Sequence, residues 1–386
     1  MRKGWEYKKL GEICSSDLGK TLNKSKDVGN MRPYLCAINI LWDSIDLTNL
    51  KEACFKDDET DRYTVKYGDL LVCEGGDTGR AAIWDRKEPI LYQNALHRLR
   101  FKEDVDARFI MYNLWHKKQI GEIDHKYSKG VTILHLVKSA LLSIPILLPP
   151  LSTQLAIVSE LDKINELIRL KKEQLKDFDN LAQSLFYEMF GDPVENEKGW
   201  EVKKLKEIAT EKLSYGSGAS AVPFNTSVRY IRITDINEYG ELKDEKVSPN
   251  IFEEKYLLAE GDILFARSGA TVGKTYLHKR NKIPCIYAGY LIRLRPNEKL
   301  VLPNYVYYYT KSNYYKSFIC ANQRVVAQPN INAKQYGDLE LPLPPLPLQH
   351  LFAHRIEQIE HQKSEVQKSI TDLETLLASR MQYWFE

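Results

Sequence analysis

"GWEYKKLGEI" (residues 4–13) is written again, almost letter for letter, as "GWEVKKLKEI" (199–208), 195 residues further on. Three more pairs follow in the same order. "GDLLVCEGG" (68–76) returns as "GDILFARSG" (261–269), "YQNALHRLR" (92–100) as "YAGYLIRLR" (287–295), and "LPPLSTQL" (148–155) as "LPPLPLQHL" (343–351). Four ordered matches at offsets of 193 or 195, about half of a 386-residue chain, mark a tandem duplication. The fold question is therefore what one unit of about 195 residues builds.

Each unit has a mixed part and a helical part. In the mixed part, runs such as "DLLVC" (69–73), "DILFA" (262–266) and "YLIRLR" (290–295) read as strands. "RFIMYNLWHKKQI" (108–120) reads as a short helix, with "NYVYYYTKSNYY" (304–315) as its counterpart and its tyrosines as core. The helical part follows a proline-rich stretch, with Ser152 expected to cap the first helix and Pro347 in the first turn of the second. A heptad seam runs through Leu161, Ile164, Ile168, Lys171, Leu175, Phe178, Ala182, Leu185 and Met189. Shifted by 195 it becomes Ile356, Ile359, Lys363, Val366, Ile370, Leu373, Leu377, Arg380 and Trp384. Such spacing is that of a coiled coil. Each helix should run about 36 residues, roughly 54 Å, longer than a domain of this size is wide. The two helices are then each other's natural partners, antiparallel and related by a pseudo-twofold axis. The expected fold class is α+β: two tandem-repeated mixed α/β domains (1–150 and 199–346) separated by two long helices (151–190 and 347–386), with a linker at 191–198.

Composition is that of a globular chain, 43% hydrophobic and 28% charged. The opening "MRKGWEYKKLGEIC" has no apolar run, and the longest apolar stretch, "SALLSIPILLPPL" (139–151), is short and broken by prolines. A cytoplasmic protein without membrane contact is expected. Six scattered cysteines with no C-x-x-C pair read as reduced thiols rather than disulfides or a zinc site. Block 1–150 carries 24 Lys+Arg against 21 Asp+Glu, a net +3, and block 199–346 carries 21 against 15, a net +6. Each helical stretch sums to −2. The positive charge thus sits on the mixed blocks, which mildly favours an anionic partner for them.

"ARSGATVGKT" (266–275) nearly spells a nucleotide-binding P-loop, but Ser268 stands where its first glycine is needed. The repeat copy, "CEGGDTGRAA" (73–82), has Ala81 at the hydroxyl position, and no long amphipathic helix follows either copy. Both read instead as glycine turns after a strand, each carrying one base near its end, Arg80 or Lys274. Glycine also lets a backbone approach DNA closely, and a base on such a turn reaches phosphate or guanine. The DNA-contact candidates on these turns are Thr78 and Arg80 in one copy and Arg267, Ser268, Thr271 and Lys274 in the other. "KYSKGVTILHL" (126–136) and "CANQRVVAQPNI" (320–331) add Lys129, Thr132, Gln323, Arg324 and Gln328. Solvated loops are the competing reading for all of these. Catalytic constellations are absent: there is no Asn-Pro-Pro-Tyr methyltransferase motif and no nuclease carboxylate cluster. His350 and His354 stand at metal-ligand spacing on a helix, but without a carboxylate pocket they read as solvated or packing residues.

These residues together resemble the DNA specificity subunit of type I restriction–modification systems. The resemblance covers essentially the whole chain. It rests on the paired openings at 4–13 and 199–208, "GDLLVCEGG" and "GDILFARSGATVG", the exits "IPILLPPLSTQLAIV" and "LPLPPLPLQHL", and "LAQSLFYEMFGDP". The family usually has an acidic residue before the glutamine of the helix start, whereas here Thr153 and Leu348 precede Gln154 and Gln349. The resemblance implies a non-catalytic subunit with two target-recognition domains, each reading one half of a bipartite double-stranded DNA site. It further implies that the helices act as spacer and docking surface for two methyltransferase subunits, and that restriction and motor subunits join them. No cofactor is expected in this chain; S-adenosylmethionine, ATP and magnesium belong to the partners. The alternative is a coiled-coil scaffold that binds protein and has no DNA specificity.

Overall fold

In the computed structural model, residues 4–23, 28–130, 134–323 and 330–386 are described. The chain divides into two compact units, Met1–Lys172 with Lys368–Glu386, and Glu173–Gln367. Each unit holds one mixed block and one stretch of each long helix.

The first unit is organised on four antiparallel strands: β1 (Cys14–Leu18), β2 (Leu70–Cys73), β3 (Ala81–Ile83) and β4 (Leu96–Phe101), hydrogen-bonded in the order β1-β4-β2-β3. β2 is buried at every position, which explains why "LLVC" shows no alternation. A second sheet includes a parallel pair, Asn30–Leu35 beside Ile90–Tyr92. The opening strand Glu6–Lys9 pairs antiparallel with Pro145–Leu148, so the repeated opening and exit motifs are one ladder. α1 (Ala107–Gln119) is capped by Asp106, whose carboxylate accepts from the Phe109 amide at 2.9 Å.

α2 (Leu151–Phe190) is the first long helix, and its residues up to Lys172 belong to this unit. The second unit repeats the plan. Strands β5 (Ser214–Tyr215), β6 (Ile263–Ala266), β7 (Thr275–Leu277) and β8 (Leu291–Leu294) pair antiparallel in the order β5-β8-β6-β7. Arg229–Ile231 lies parallel to Cys285–Tyr287, and Glu201–Lys204 pairs with Glu340–Leu343. The single helix expected over 304–315 is broken here into α3 (Pro303–Tyr309) and α4 (Asn313–Gln323). The break has a local cause. The Thr310 hydroxyl donates back to the Tyr307 carbonyl at 2.6 Å, and the Ser312 hydroxyl accepts from the Tyr315 amide at 3.3 Å, restarting the helix. Tyr305, Tyr309 and Tyr315 are core, as their spacing suggested.

α5 (Leu346–Phe385) completes the fold. Both long helices have 40 residues rather than about 36: α2 starts directly after Pro150 instead of waiting for a cap at Ser152, and α5 starts directly after Pro345 with Pro347 in its first turn, as expected. Thr153 and Gln154 donate their amides to the Pro150 carbonyl at 2.9 and 3.1 Å. Within the first unit α2 and α5 run antiparallel: Arg380 and Trp384 both donate to Glu160, and Lys172 pairs with Glu374 at 2.7 Å. Within the second, Lys363 donates to Asp179 at 2.6 Å, and Phe186 meets Phe352 at 5.9 Å. Leu161, Ile164, Ile168, Ile356, Ile359, Val366, Ile370 and Leu377 are buried, while Leu175, Phe178, Leu185 and Leu373 are half-buried. The polar seam residues Lys363 and Arg380 are thus ion-paired across the helices rather than left bare.

Each unit ties its mixed block to its helices through aromatic side chains. In the first, Trp5 stacks on Trp384 at 6.5 Å and Phe109 meets Phe385 at 5.4 Å. In the second, Phe190 meets Tyr305 at 4.7 Å and Phe352 at 5.1 Å. Among the described residues, no helix is long and apolar enough to cross a membrane.

Candidate nucleic-acid interface

The repeated motifs "GD" and "RLR" build one frame in each unit. Asp69 is buried; its carboxylate accepts from the Lys66 amide at 2.8 Å and binds Arg100 through two bonds of 2.7 Å. Asp262 does the same with the Ala259 amide at 2.8 Å and with Arg295 at 2.7 and 2.8 Å. Each pair closes the turn that leads into the central strand and fastens it to the neighbouring one. The other arginine of each motif is buried: Arg98 binds Asp17 at 2.8 Å, and Arg293 binds Glu211 at 2.8 Å. Four of the most visible basic residues are therefore spent on the frame.

At the other end of the central strand the glycine turns emerge. Gly79 and Gly273 have φ of +81° and +86°. A Cβ at either position would lie 2.8 Å from Ile123 or 2.9 Å from Ile319. Positive φ and close approach together require glycine there. In the second unit the turn passes directly into strand β7, not into a helix, so no helix N-terminus faces the turn as a P-loop would need. A single 3₁₀ turn, Gly269–Thr271, precedes it.

Most of the sequence candidates converge on this end of each sheet. The turn at 74–80 meets the segment after α1 through the bridge Gly75 to His135, that segment is itself closed by the bridge Lys129 to His135, and the turn at 267–274 meets Asn330 through Ser268. Lys129 is exposed, while Ser268 and Lys274 are half-buried. No hydrogen bond or ion pair engages the Lys274 ammonium among the described residues. Arg267 lies over the Tyr215 ring at 4.7 Å and donates from Nε to Asn330 at 3.2 Å.

Other candidates are spent inside the protein. Thr78 is fully buried, with its hydroxyl donating to Asp124 at 2.9 Å, so it holds the turn and offers no surface to a ligand. Burial works against the Asp124 carboxylate, but hydrogen bonds from Lys118 and Thr78 hold it below its usual range. Arg80 donates to the Ala37 carbonyl at 2.9 Å and sits 3.6 Å from Asp77. The Thr271 hydroxyl donates to the Ser268 carbonyl at 3.0 Å. Thr132, Arg324 and Gln328 lie outside the described residues, as does the side chain of Gln323. Residue-type reasoning passed over Tyr215 and Tyr290, which stand at this same end and are 41% and 62% exposed. Strand pairing is the signal that finds them, because it brings β5 and β8 to the turn. Among the described residues, no cluster of three or more His, Cys, Asp or Glu could hold a metal ion.

Two copies of one frame, each presenting a glycine turn, define a duplicated architecture, and comparison with known proteins says to which family it belongs. A family model described as the type I restriction modification DNA specificity domain matches residues 2–177 and again 197–375. The chain belongs to that family. It is similar to the type I restriction enzyme EcoBI specificity subunit of Escherichia coli, 23% identical over 340 residues, covering 80% of this chain and 70% of the relative. It is similar also to the MjaVIII specificity subunit of Methanocaldococcus jannaschii, 23% identical over 408 residues, covering 97% and 92%. Among solved structures, the type I restriction-modification system S subunit from M. genitalium matches with a TM-score of 0.52 at 15% identity, covering 99% of this chain and 96% of that one. A chain from a structure of a type I R-M system matches with 0.58 at 18%, covering 99% and 97%. At these identities the structural matches speak for the fold.

Proposed function

We propose that this chain is the DNA-specificity subunit of a type I restriction–modification complex and is itself non-catalytic. Each mixed block reads one part of a bipartite double-stranded DNA site. The long helices set the spacing between the parts and dock two methyltransferase subunits, which restriction subunits join in the cleaving complex. The partners supply S-adenosylmethionine, ATP and magnesium, and the complex works in the cytoplasm. One observation carries the reading: the same hydrogen-bonded frame occurs twice, and each copy ends in a glycine turn and loop whose side chains differ. A frame kept while its presented residues vary is what two independent readers need. Family membership supports it.

The test is an exchange of halves. Residues 199–345 are replaced by the matching block of a relative, and the methylome of a host expressing the chimera with its methyltransferase partners is sequenced. One half of the methylated motif should change and the other persist. Both halves changing together would defeat the two-reader proposal, and absence of any fixed motif for the parent protein would favour a scaffold.

A further inference from the structure

The two frames can be superimposed residue by residue through their hydrogen bonds. Leu18 pairs with His97 as Tyr215 pairs with Ile292, and Leu96 pairs with Cys73 as Leu291 pairs with Ala266. One residue beyond the central strand stand Glu74 and Arg267. The Glu74 amide donates to Ala95 at 2.9 Å, and its carbonyl accepts from Leu136 at 2.7 Å. The Arg267 amide donates to Tyr290 at 3.1 Å, and its carbonyl accepts from Ile331 at 2.9 Å. The backbone is held by the same hydrogen bonds in both copies, while the side chains at the three matched positions differ, and at the middle one they are opposite in charge. Leu18, Glu74 and Ala95 in the first unit correspond to Tyr215, Arg267 and Tyr290 in the second.

The chemistry at the middle position is specific. Arg267 is spread on the Tyr215 ring and held at Nε by Asn330, while neither terminal amino group has a partner among the described residues. A guanidinium so held presents a fixed fork, the geometry that grips the O6 and N7 of guanine. Glu74 is half-buried, and its side chain accepts no hydrogen bond among the described residues. Burial pushes its carboxyl up, and the nearby His135 only partly offsets this. A partly desolvated carboxylate is repelled by phosphate, so beside DNA it is favourable only when a base amino group donates to it.

We propose that Glu74 and Arg267 occupy the matched base-reading position of the two readers. Glu74 accepts from an exocyclic amino group, cytosine N4 or adenine N6, in one half-site. Arg267 takes a guanine in the other. This rests on the DNA-specificity reading above, and it makes the half-sites chemically unlike although the frames are alike.

The experiment uses the full chain with its methyltransferase subunits. Motif preference is measured for the parent, Glu74→Ala and Arg267→Ala, by methylome sequencing and by competition binding of duplexes varied one position at a time. Arg267→Ala should relax preference about 5- to 150-fold at one G·C pair in one half, leaving the other half intact. Glu74→Ala should relax a single pair in the opposite half, and the identity of that pair tells cytosine from adenine. The intact half serves as the folding control, and the binding assay covers any variant too weak to methylate. Loss spread evenly over all sequences would mean phosphate contact and overturn the proposal, as would a relaxed A·T pair for Arg267→Ala or unchanged preference in both variants. A parent complex with no sequence preference would instead defeat the underlying DNA-specificity reading.

Discussion

At the scale of the residue, bases with equivalent sequence positions have different work. Arg80 is drawn onto the Ala37 carbonyl, whereas Lys274 has no partner among the described residues. A lysine is a mobile point charge suited to phosphate rather than to a base edge. Lys274→Ala should therefore weaken DNA binding alike for every sequence. The slope of log affinity against log salt should shrink by about one. Titration of the purified complex at several salt concentrations checks this, and an unchanged slope would place Lys274 outside the interface. Composition could nominate these residues but not separate them, because what distinguishes them is a carbonyl 43 positions away. Thr78 was misleading for the same reason: its partner Asp124 is 46 positions distant. Tyr215 ends a two-residue strand and Tyr290 stands in the turn just before a fully buried one, neither of which shows alternation, so only pairing reveals that they share an end.

At the scale of the element, the long helices were legible because burial repeats every seven residues and leaves a periodic trace. What anchors their starts was not, because it is polar and occurs once per copy. Gln154 and Gln349 are both fully buried. The Gln154 side chain accepts from the Asp106 amide at 2.9 Å and donates to the Asp104 and Pro149 carbonyls at 3.1 and 2.9 Å. The Gln349 side chain accepts from the Leu302 amide at 2.8 Å and donates to the Pro344 and Leu300 carbonyls at 2.7 and 3.4 Å. Each glutamine joins the long helix to the start of the short helix in its own block, and this explains its place in the repeated exit motif. Gln349→Leu keeps the volume but orphans one buried amide and two carbonyls. It should cost about 2–4 kcal/mol, since each buried group left unpaired costs about 1–3 kcal/mol and the site can partly relax. Chemical denaturation followed by tyrosine and tryptophan fluorescence measures this. A loss below about 1 kcal/mol, within the range of an ordinary net hydrogen bond, would show that water or a backbone shift replaces the side chain.

At the scale of the whole molecule, the proposed spacing role turns a helix length into a number of base pairs. A seven-residue insertion preserves the seam, because the heptad is its repeat. Placed in α2 and α5 at matching heptads, it adds about 10 Å of helix. At about 3.4 Å per base pair that is close to three base pairs, an upper value because the added length need not run along the DNA axis. The variant should methylate the same two half-sites with a spacer longer by about one to three base pairs. Insertion of four residues into one helix alone should do something different. It rotates everything beyond it off the seam and breaks partnerships such as Lys363 with Asp179 or Arg380 with Glu160, according to where it falls. Assembly should fail in that case rather than the spacer lengthen. Methylome sequencing distinguishes the two variants. Full methylation of the parent motif by the seven-residue variant would show that the helices hold the protein together without measuring its site.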